Sequence, residues 1–212
     1  MDAVDSLHPG RSFYLEDKKM REPQWKQLVV GTDKPLLDPE QCDELIRIGQ
    51  SEPQYEGIIL RKKGEVDPTI RKSTVSWIPF DKARPIYQKI ESWVNRINLN
   101  YFGYDNILVF EKAQYAEYSK GGFYNWHMDH PADMSSMPLV RKISLGILLN
   151  DPKEFKGGEF EFFGEIADKN FKTLPIRGSA VFFASFLMHR VKRVTEGNRK
   201  SLVMWFGGTP LK

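Results

Sequence analysis

The chain has one cysteine, Cys42, in 212 residues. It can form no internal disulfide and has no zinc-ribbon spacing. It lacks any apolar run near the ~20 residues that cross a bilayer. It has little excess charge, +3 with histidine neutral, well short of the basic footprint of a nucleic-acid binder. No internal repeat and no low-complexity tract is present. Met1 to Asp5 carry two acids and no apolar core of a secretory signal. These absences lead us to expect a protein without membrane partners in a reducing cytoplasm. Histidine is scarce too, with only four, so the position of each one matters.

Aromatic residues make up 13% of the chain, which favours strand-rich packing. We expect a polar arm over residues 1–24 and a single domain over 25–212. Gln27 to Val30 reads as a short strand. Asp38, Pro39 and Gln41 form a helix start with a capping-box pattern. Cys42, Leu45 and Ile46 give that helix an apolar stripe, and Gly49 is the expected stop. A second helix is expected from about Asp81 to Asn98, with Ile86, Ile90, Trp93, Val94 and Ile97 at helical spacing. Between the helices, Ile58 to Leu60 and Ser73 to Ile78 read as strands joined by a charged loop, Arg61 to Pro68.

From Ile107 the chain reads almost entirely as strand. The candidates are Ile107 to Tyr118, Trp126 to His130, Arg141 to Leu149, Glu159 to Phe163, Phe171 to Pro175, Ala180 to Ala184, His189 to Val194 and Lys200 to Phe206. Glycine and proline turns separate them. Eight short strands at even spacing suggest a mainly β (α+β) fold, a double-stranded β-helix or jelly roll over about 107–207 with two supporting amino-terminal helices.

Within that region His127 and Asp129 are two apart, the spacing that points both side chains one way on a strand. His189 lies on a distant strand-like segment, and Arg199 follows ten residues later. Two histidines and one carboxylate can occupy one face of an octahedral ion, leaving the other positions open; that suits non-haem Fe(II). Arg199 offers a planar, permanently charged fork for a carboxylate. His130 neighbours Asp129 and should face the other way, as a solvated or supporting histidine, and His8 falls in the polar arm. Trp126, Phe182 and Phe183 read as core.

The segment Tyr118-x-x-Gly121-x-x-Tyr124-x-x-His127-x-Asp129 resembles the iron- and 2-oxoglutarate-dependent prolyl 4-hydroxylase-like dioxygenases, of the small bacterial and phage type. The resemblance continues through Arg141-Lys142-Ile143-Ser144, Leu149-Asn150-Asp151, Gly157-Gly158-Glu159, Gly178 to Phe183, His189-Arg190-Val191 and Gly197 to Ser201. It implies Fe(II) on His127, Asp129 and His189, with 2-oxoglutarate as cosubstrate, O2 as oxidant and ascorbate as a reductant. It implies hydroxylation of a prolyl residue in a peptide or protein, with release of succinate and CO2. Arg199 and Ser201 share a strand face and form a cradle for the far carboxylate of 2-oxoglutarate. Lys200 is the alternative anchor, and Tyr118 matches a family position that helps hold the cosubstrate. Some members carry a tyrosine where this chain has Leu148, which shifts that work onto Tyr118, Ser201 and Arg199. Because Asp129 is present, hydroxylation rather than halogenation is the implied outcome. The alternatives are hydroxylation of a free amino acid or other small metabolite, nucleic-acid demethylation, and a non-catalytic jelly-roll binding module. Related hydroxylases also imply that Arg61 to Pro68 is a flap that closes over bound peptide.

Overall fold

The structure is a computed structural model that describes residues 27–57, 69–130, 139–164 and 174–209. The arm of residues 1–24, the strand at Ile58 to Leu60, the loop at Arg61 to Pro68 and most of the candidate strand at Phe171 to Pro175 lie outside the described residues.

The first half contains β1 (Val29–Gly31), α1 (Pro39–Ser51), β2 (Tyr55–Glu56), β3 (Arg71–Lys72), β4 (Thr74–Ile78) and α2 (Arg84–Ile97). A short π-helical turn, Asn98–Phe102, follows α2. Then come β5 (Leu108–Val109), β6 (Ala113–Tyr118), β7 (Phe123–His127), β8 (Val140–Leu148), β9 (Phe155–Gly157) and β10 (Phe160–Phe162). The chain closes with β11 (Ala180–Ala184), β12 (His189–Val191), β13 (Val194–Gly197) and β14 (Arg199–Gly208). The major sheet runs β1-β11-β8-β14-β6-β4-β2, with β5 also paired to β14. The minor sheet runs β10-β12-β7-β3, and β13 and β9 form a ribbon. Every pairing is antiparallel, and the two sheets make the expected jelly roll.

Strand alternation gives the major sheet two apolar faces. On one, Leu145, Ile147, Leu202, Met204 and Phe206 pack under Leu45, Ile48, Ile86, Ile90 and Val94 of the helices. On the other, Leu148, Val181 and Phe183 meet Phe160 and Phe162 of the minor sheet. β8 and β14 are therefore buried on both sides, which explains their near-continuous apolar sequence.

Helix α1 starts as expected. The Asp38 carboxylate accepts from the Gln41 amide at 2.8 Å and the Gln41 side chain accepts from the Asp38 amide at 3.3 Å, a pair worth about 1 kcal/mol. It does not stop at Gly49. It runs to Ser51, because Gly49 is a packing position where a Cβ would sit 2.4 Å from the Tyr115 ring. Helix α2 is shorter than expected at its start, and Trp93 is not part of its buried stripe. Trp93 is 36% exposed, with the Arg96 guanidinium 5.7 Å from its ring centroid, while Tyr87 takes the inward place.

Candidate metal and cosubstrate site

Two aligned strands of the minor sheet deliver the histidines. His127 at the end of β7 pairs directly with His189 at the start of β12. Between that pair and the next, Tyr124 with Val191, the register shifts by one residue. Asn125 and Trp126 thus stand opposite Arg190 alone, a bulge that turns both Tyr124 and His127 into the barrel. The strand ends at His127, three residues before the expected end, so strand alternation does not place Asp129. A bend does: the amides of Asp129 and His130 both donate to the Ser185 carbonyl, at 3.0 and 2.9 Å. His130 is half-buried beside it.

The three side chains converge. Asp129 Oδ1 lies 3.9 Å from His127 Nε2, and its Oδ2 lies 3.6 Å from His189 Nε2. All three ligand atoms fall within 4.8 Å of one another. His127 Nδ1 faces the Asn125 carbonyl at 2.8 Å and His189 Nδ1 faces the Leu187 carbonyl at 2.9 Å. A nitrogen against a carbonyl must carry the hydrogen, so each Nε2 presents its lone pair to the shared point.

Burial, then the neighbouring His189, pushes the His127 pKa down to about 3, so the ring is neutral and able to ligate at ordinary pH. Burial alone would raise the Asp129 pKa. His189, His127, the Ser144 hydroxyl and Arg141 outweigh it and hold the pKa below its usual value. Asp129 Oδ2 is buried without a hydrogen-bond partner. An orphaned carboxylate oxygen beside two imidazole lone pairs is the donor set of an open facial site, and it fits Fe(II). Aromatic rings pack the ligands in place. Tyr124 stacks on His127, and Phe183 meets His189 edge-on with centroids 4.6 Å apart.

Arg199, Ser201, Val203 and Trp205 point from β14 into the same cavity, whose volume is about 270 Å³. Arg199 is only 3% exposed; it donates from Nη1 to Ser201 Oγ at 3.0 Å and lies 5.7 Å from the Tyr118 ring centroid. Among the described residues no carboxylate pairs with it. Burial depresses its pKa, with Tyr118 opposing. Room for the guanidinium comes from Gly158, at φ +70°, where a Cβ would meet Arg199 Cδ at 2.8 Å. Lys200 alternates away and is half-buried. Leu148 pairs with Ser201 across β8 and β14 and is buried, adding no polar group.

Trp126 is not core. It lies on the outer side of the bulge, with Arg190 4.3 Å from its ring centroid and Phe163 5.4 Å away edge-on. Phe182 is fully buried under the helices, while Phe183 is buried as a cavity wall. Arg71, Gln114 and Trp205 also line the cavity, though no motif announces them, and so does Arg141 of the Arg141-Lys142-Ile143-Ser144 run. Extending the Arg199–Ser201 alternation along β14 would have reached Trp205.

Residues 113–207 match the model of the 2OG-Fe(II) oxygenase superfamily. That match spans the strand core that carries the two histidines, the aspartate and Arg199. More particularly, 97 residues are 34% identical to a PKHD-type hydroxylase of Psychrobacter sp. (strain PRwf-1), covering 43% of this chain and 36% of that one. A further 35% identity over 92 residues relates it to a PKHD-type hydroxylase of Thermosynechococcus vestitus, covering 43% and 40%. The chain thus spans well under half the length of these curated relatives. Among solved structures, the viral collagen prolyl hydroxylase of Paramecium Bursaria Chlorella virus-1, in its 2OG complex, superposes with a TM-score of 0.66 at 23% identity, over 86% of this chain and 97% of that one. A Trichoplax adhaerens prolyl hydroxylase in complex with a hypoxia inducible factor peptide fragment gives 0.66 at 18% identity, over 97% and 95%. Both carry the same fold.

Proposed function

We propose that this protein is an Fe(II)/2-oxoglutarate-dependent dioxygenase that hydroxylates a prolyl residue in a peptide or protein. The observation that carries the reading is the pairing of His127, Asp129 and His189 with a buried Arg199 that lacks a carboxylate partner among the described residues, in one cavity. A buried guanidinium without a counter-ion is strongly disfavoured, so the site is completed by an anion of the ligand. The far carboxylate of 2-oxoglutarate meets that need, with Arg199 as a fork, the Ser201 hydroxyl beside it and Tyr118 closing the wall. Bound iron supplies the activation of O2, coupled to decarboxylation of 2-oxoglutarate to succinate. The chain supplies position. The two Nδ1–H bonds fix the imidazoles, the Ser185 carbonyl fixes the bend that carries Asp129, and Phe160 and Phe183 keep water from the ligand rings.

The prolyl substrate is supported by the motif resemblance and by the prolyl hydroxylases among its structural neighbours. The test is 2-oxoglutarate consumption with Fe(II), scored for succinate, alongside proline-containing peptides scored for a mass gain of one oxygen. Free proline and methylated single-stranded DNA serve as competing substrates. Turnover of either of these without peptide turnover would replace the prolyl reading, and no succinate under any condition would leave a binding module.

A further inference from the structure

Three guanidinium groups line the cavity, and their surroundings differ. Arg199 stands at the cosubstrate end, where it pairs in register with Tyr118. Arg141 is neutralised by Glu111, which accepts from its Nε at 2.7 Å and from its Nη2 at 2.5 Å. Arg71 is the third, and among the described residues no carboxylate lies against it.

Arg71 is held in a fixed attitude. Its Nε donates to Ser73 Oγ at 2.7 Å, its Nη2 donates to Gln114 Oε1 at 2.9 Å, and its guanidinium lies 4.5 Å from the centroid of the Tyr124 ring. Tyr124 in turn stacks on His127, so Arg71 is one ring removed from a candidate iron ligand. Gly57 makes room for it: a Cβ there would come within 2.7 Å of Arg71 Nε and 2.2 Å of Ser73 Oγ. Gln114 lies four residues along β6 from Tyr118 and pairs with Val203 and Trp77. Arg71 is therefore displaced along β6 from Arg199, which pairs with Tyr118.

Charge balance then becomes specific. Glu111 cancels Arg141, and the far carboxylate of 2-oxoglutarate cancels Arg199. The remaining cosubstrate carboxylate and Asp129 offset the two charges of Fe(II). Arg71 is left over, oriented and half-buried in the cavity wall. We infer that Arg71 receives a carboxylate of the substrate, so that the substrate is an acid-bearing one. This rests on the oxygenase reading above and names the substrate class that reading leaves open. The carboxylate can be an Asp or Glu side chain next to the target residue, or a free carboxyl terminus.

The experiment uses proline-centred peptides in four forms, with Glu or Gln beside the proline and the carboxyl terminus free or amidated. Free proline is added as a fifth probe. Each is incubated with the protein, Fe(II) and 2-oxoglutarate, and read by oxygen mass gain and by the probe-dependent rise in succinate. The wild type should favour acid-bearing probes by about tenfold or more in kcat/KM, the scale of one partly buried charge pair. Arg71→Gln should abolish that preference while leaving the KM for 2-oxoglutarate within about twofold. Arg71→Lys, which keeps the charge and guards against misfolding, should retain part of the preference. A preference that follows Glu assigns a side-chain carboxylate, and one that follows the free terminus assigns a terminal one. Succinate formation with no acid preference, or a preference unchanged in Arg71→Gln, overturns this inference alone. No succinate with any probe overturns the oxygenase reading and this inference with it.

Discussion

Tyr124 lies flat on His127, ring centroids 3.4 Å apart and planes 8° from parallel. The contact exists only because the bulge at Asn125 and Trp126 turns residues three apart toward the same side. It presses the imidazole into one orientation, while Asn125 holds its far nitrogen. Ring contacts of this kind are worth about 0.5–1.5 kcal/mol. Tyr124→Ala should therefore weaken Fe(II) binding about 2- to 13-fold, and Tyr124→Phe should leave it near wild type. Titration calorimetry under anaerobic conditions checks this, and equal losses in both variants would mean that the hydroxyl, not the ring, matters.

Asp129→Ala separates stability from metal binding. In the metal-free protein the neighbours that hold the Asp129 pKa low favour its carboxylate, so removing it should lower the metal-free Tm. The rise in Tm that Fe(II) or Mn(II) gives the wild type should vanish in the variant. A metal-dependent rise that survives would mean that Asp129 is not a ligand.

Arg199→Ala and Lys200→Ala should diverge. Arg199 is buried against Ser201 in the cavity and Lys200 alternates away. Truncating one partner of a buried charge pair costs about 2–5 kcal/mol, so the 2-oxoglutarate requirement of Arg199→Ala should rise at least ~30-fold. Lys200→Ala should stay within about threefold. The 2-oxoglutarate dependence of succinate formation reads both, and a large defect confined to Lys200→Ala would move the anchor.

Gly49→Ala tests the helix–sheet contact. Its new methyl group would overlap the Tyr115 ring, which is fully buried under α1. Overpacking of this kind costs about 1–3 kcal/mol. Better helix propensity would offset about 1 kcal/mol of that. Denaturant unfolding should show a net loss, and a gain would mean that α1 can slide away from the sheet.

Tyr87 should make stability fall at high pH. Burial pushes its pKa up to about 12 from the ordinary 10. Above pH 10 the unfolded chain loses the phenolic proton while the folded chain keeps it, so the contribution present below pH 10 is lost progressively up to pH 12. Two pKa units correspond to about 2–3 kcal/mol. Below pH 10, Tyr87→Phe should be less stable than wild type, because Tyr87 donates to the Ile78 carbonyl at 2.8 Å and accepts from the Ala113 amide at 2.7 Å. That difference should shrink between pH 10 and 12 in urea titrations, and a constant gap would mean that Tyr87 does not resist ionisation.

The sequence names His127, Asp129 and His189 as the ligand set, and it carries the jelly roll and the capped start of α1 because period-two patterning and turn residues are local signals. It carries the Arg199–Ser201 face for the same reason. It does not carry the bulge in β7, since Asn125-Trp126 has no glycine or proline to announce an extra residue. Strand periodicity alone therefore places β7 three residues late and credits a strand with positioning Asp129, which a bend tied to Ser185 does. Trp93 and Gly49 mislead through tertiary context: Arg96 shields the one, and Tyr115 claims the space beside the other. Arg71 has no readable signal, because Gln114 and Tyr124 come from two distant strands and Ser73 from the junction between β3 and β4.

On β14, Arg199, Ser201, Val203 and Trp205 look into the cavity while Leu202, Met204 and Phe206 lie under the helices. The two sets interleave like two messages sharing one reading frame. Inserting or deleting a single residue between Arg199 and Trp205 would exchange part of them, turning polar groups toward the helices and apolar ones toward the ligand. Folding and ligand capture would fail at the same stroke. A substitution on this strand touches one set of positions at a time, but its length is locked, and any change in loop length must be absorbed beyond its ends.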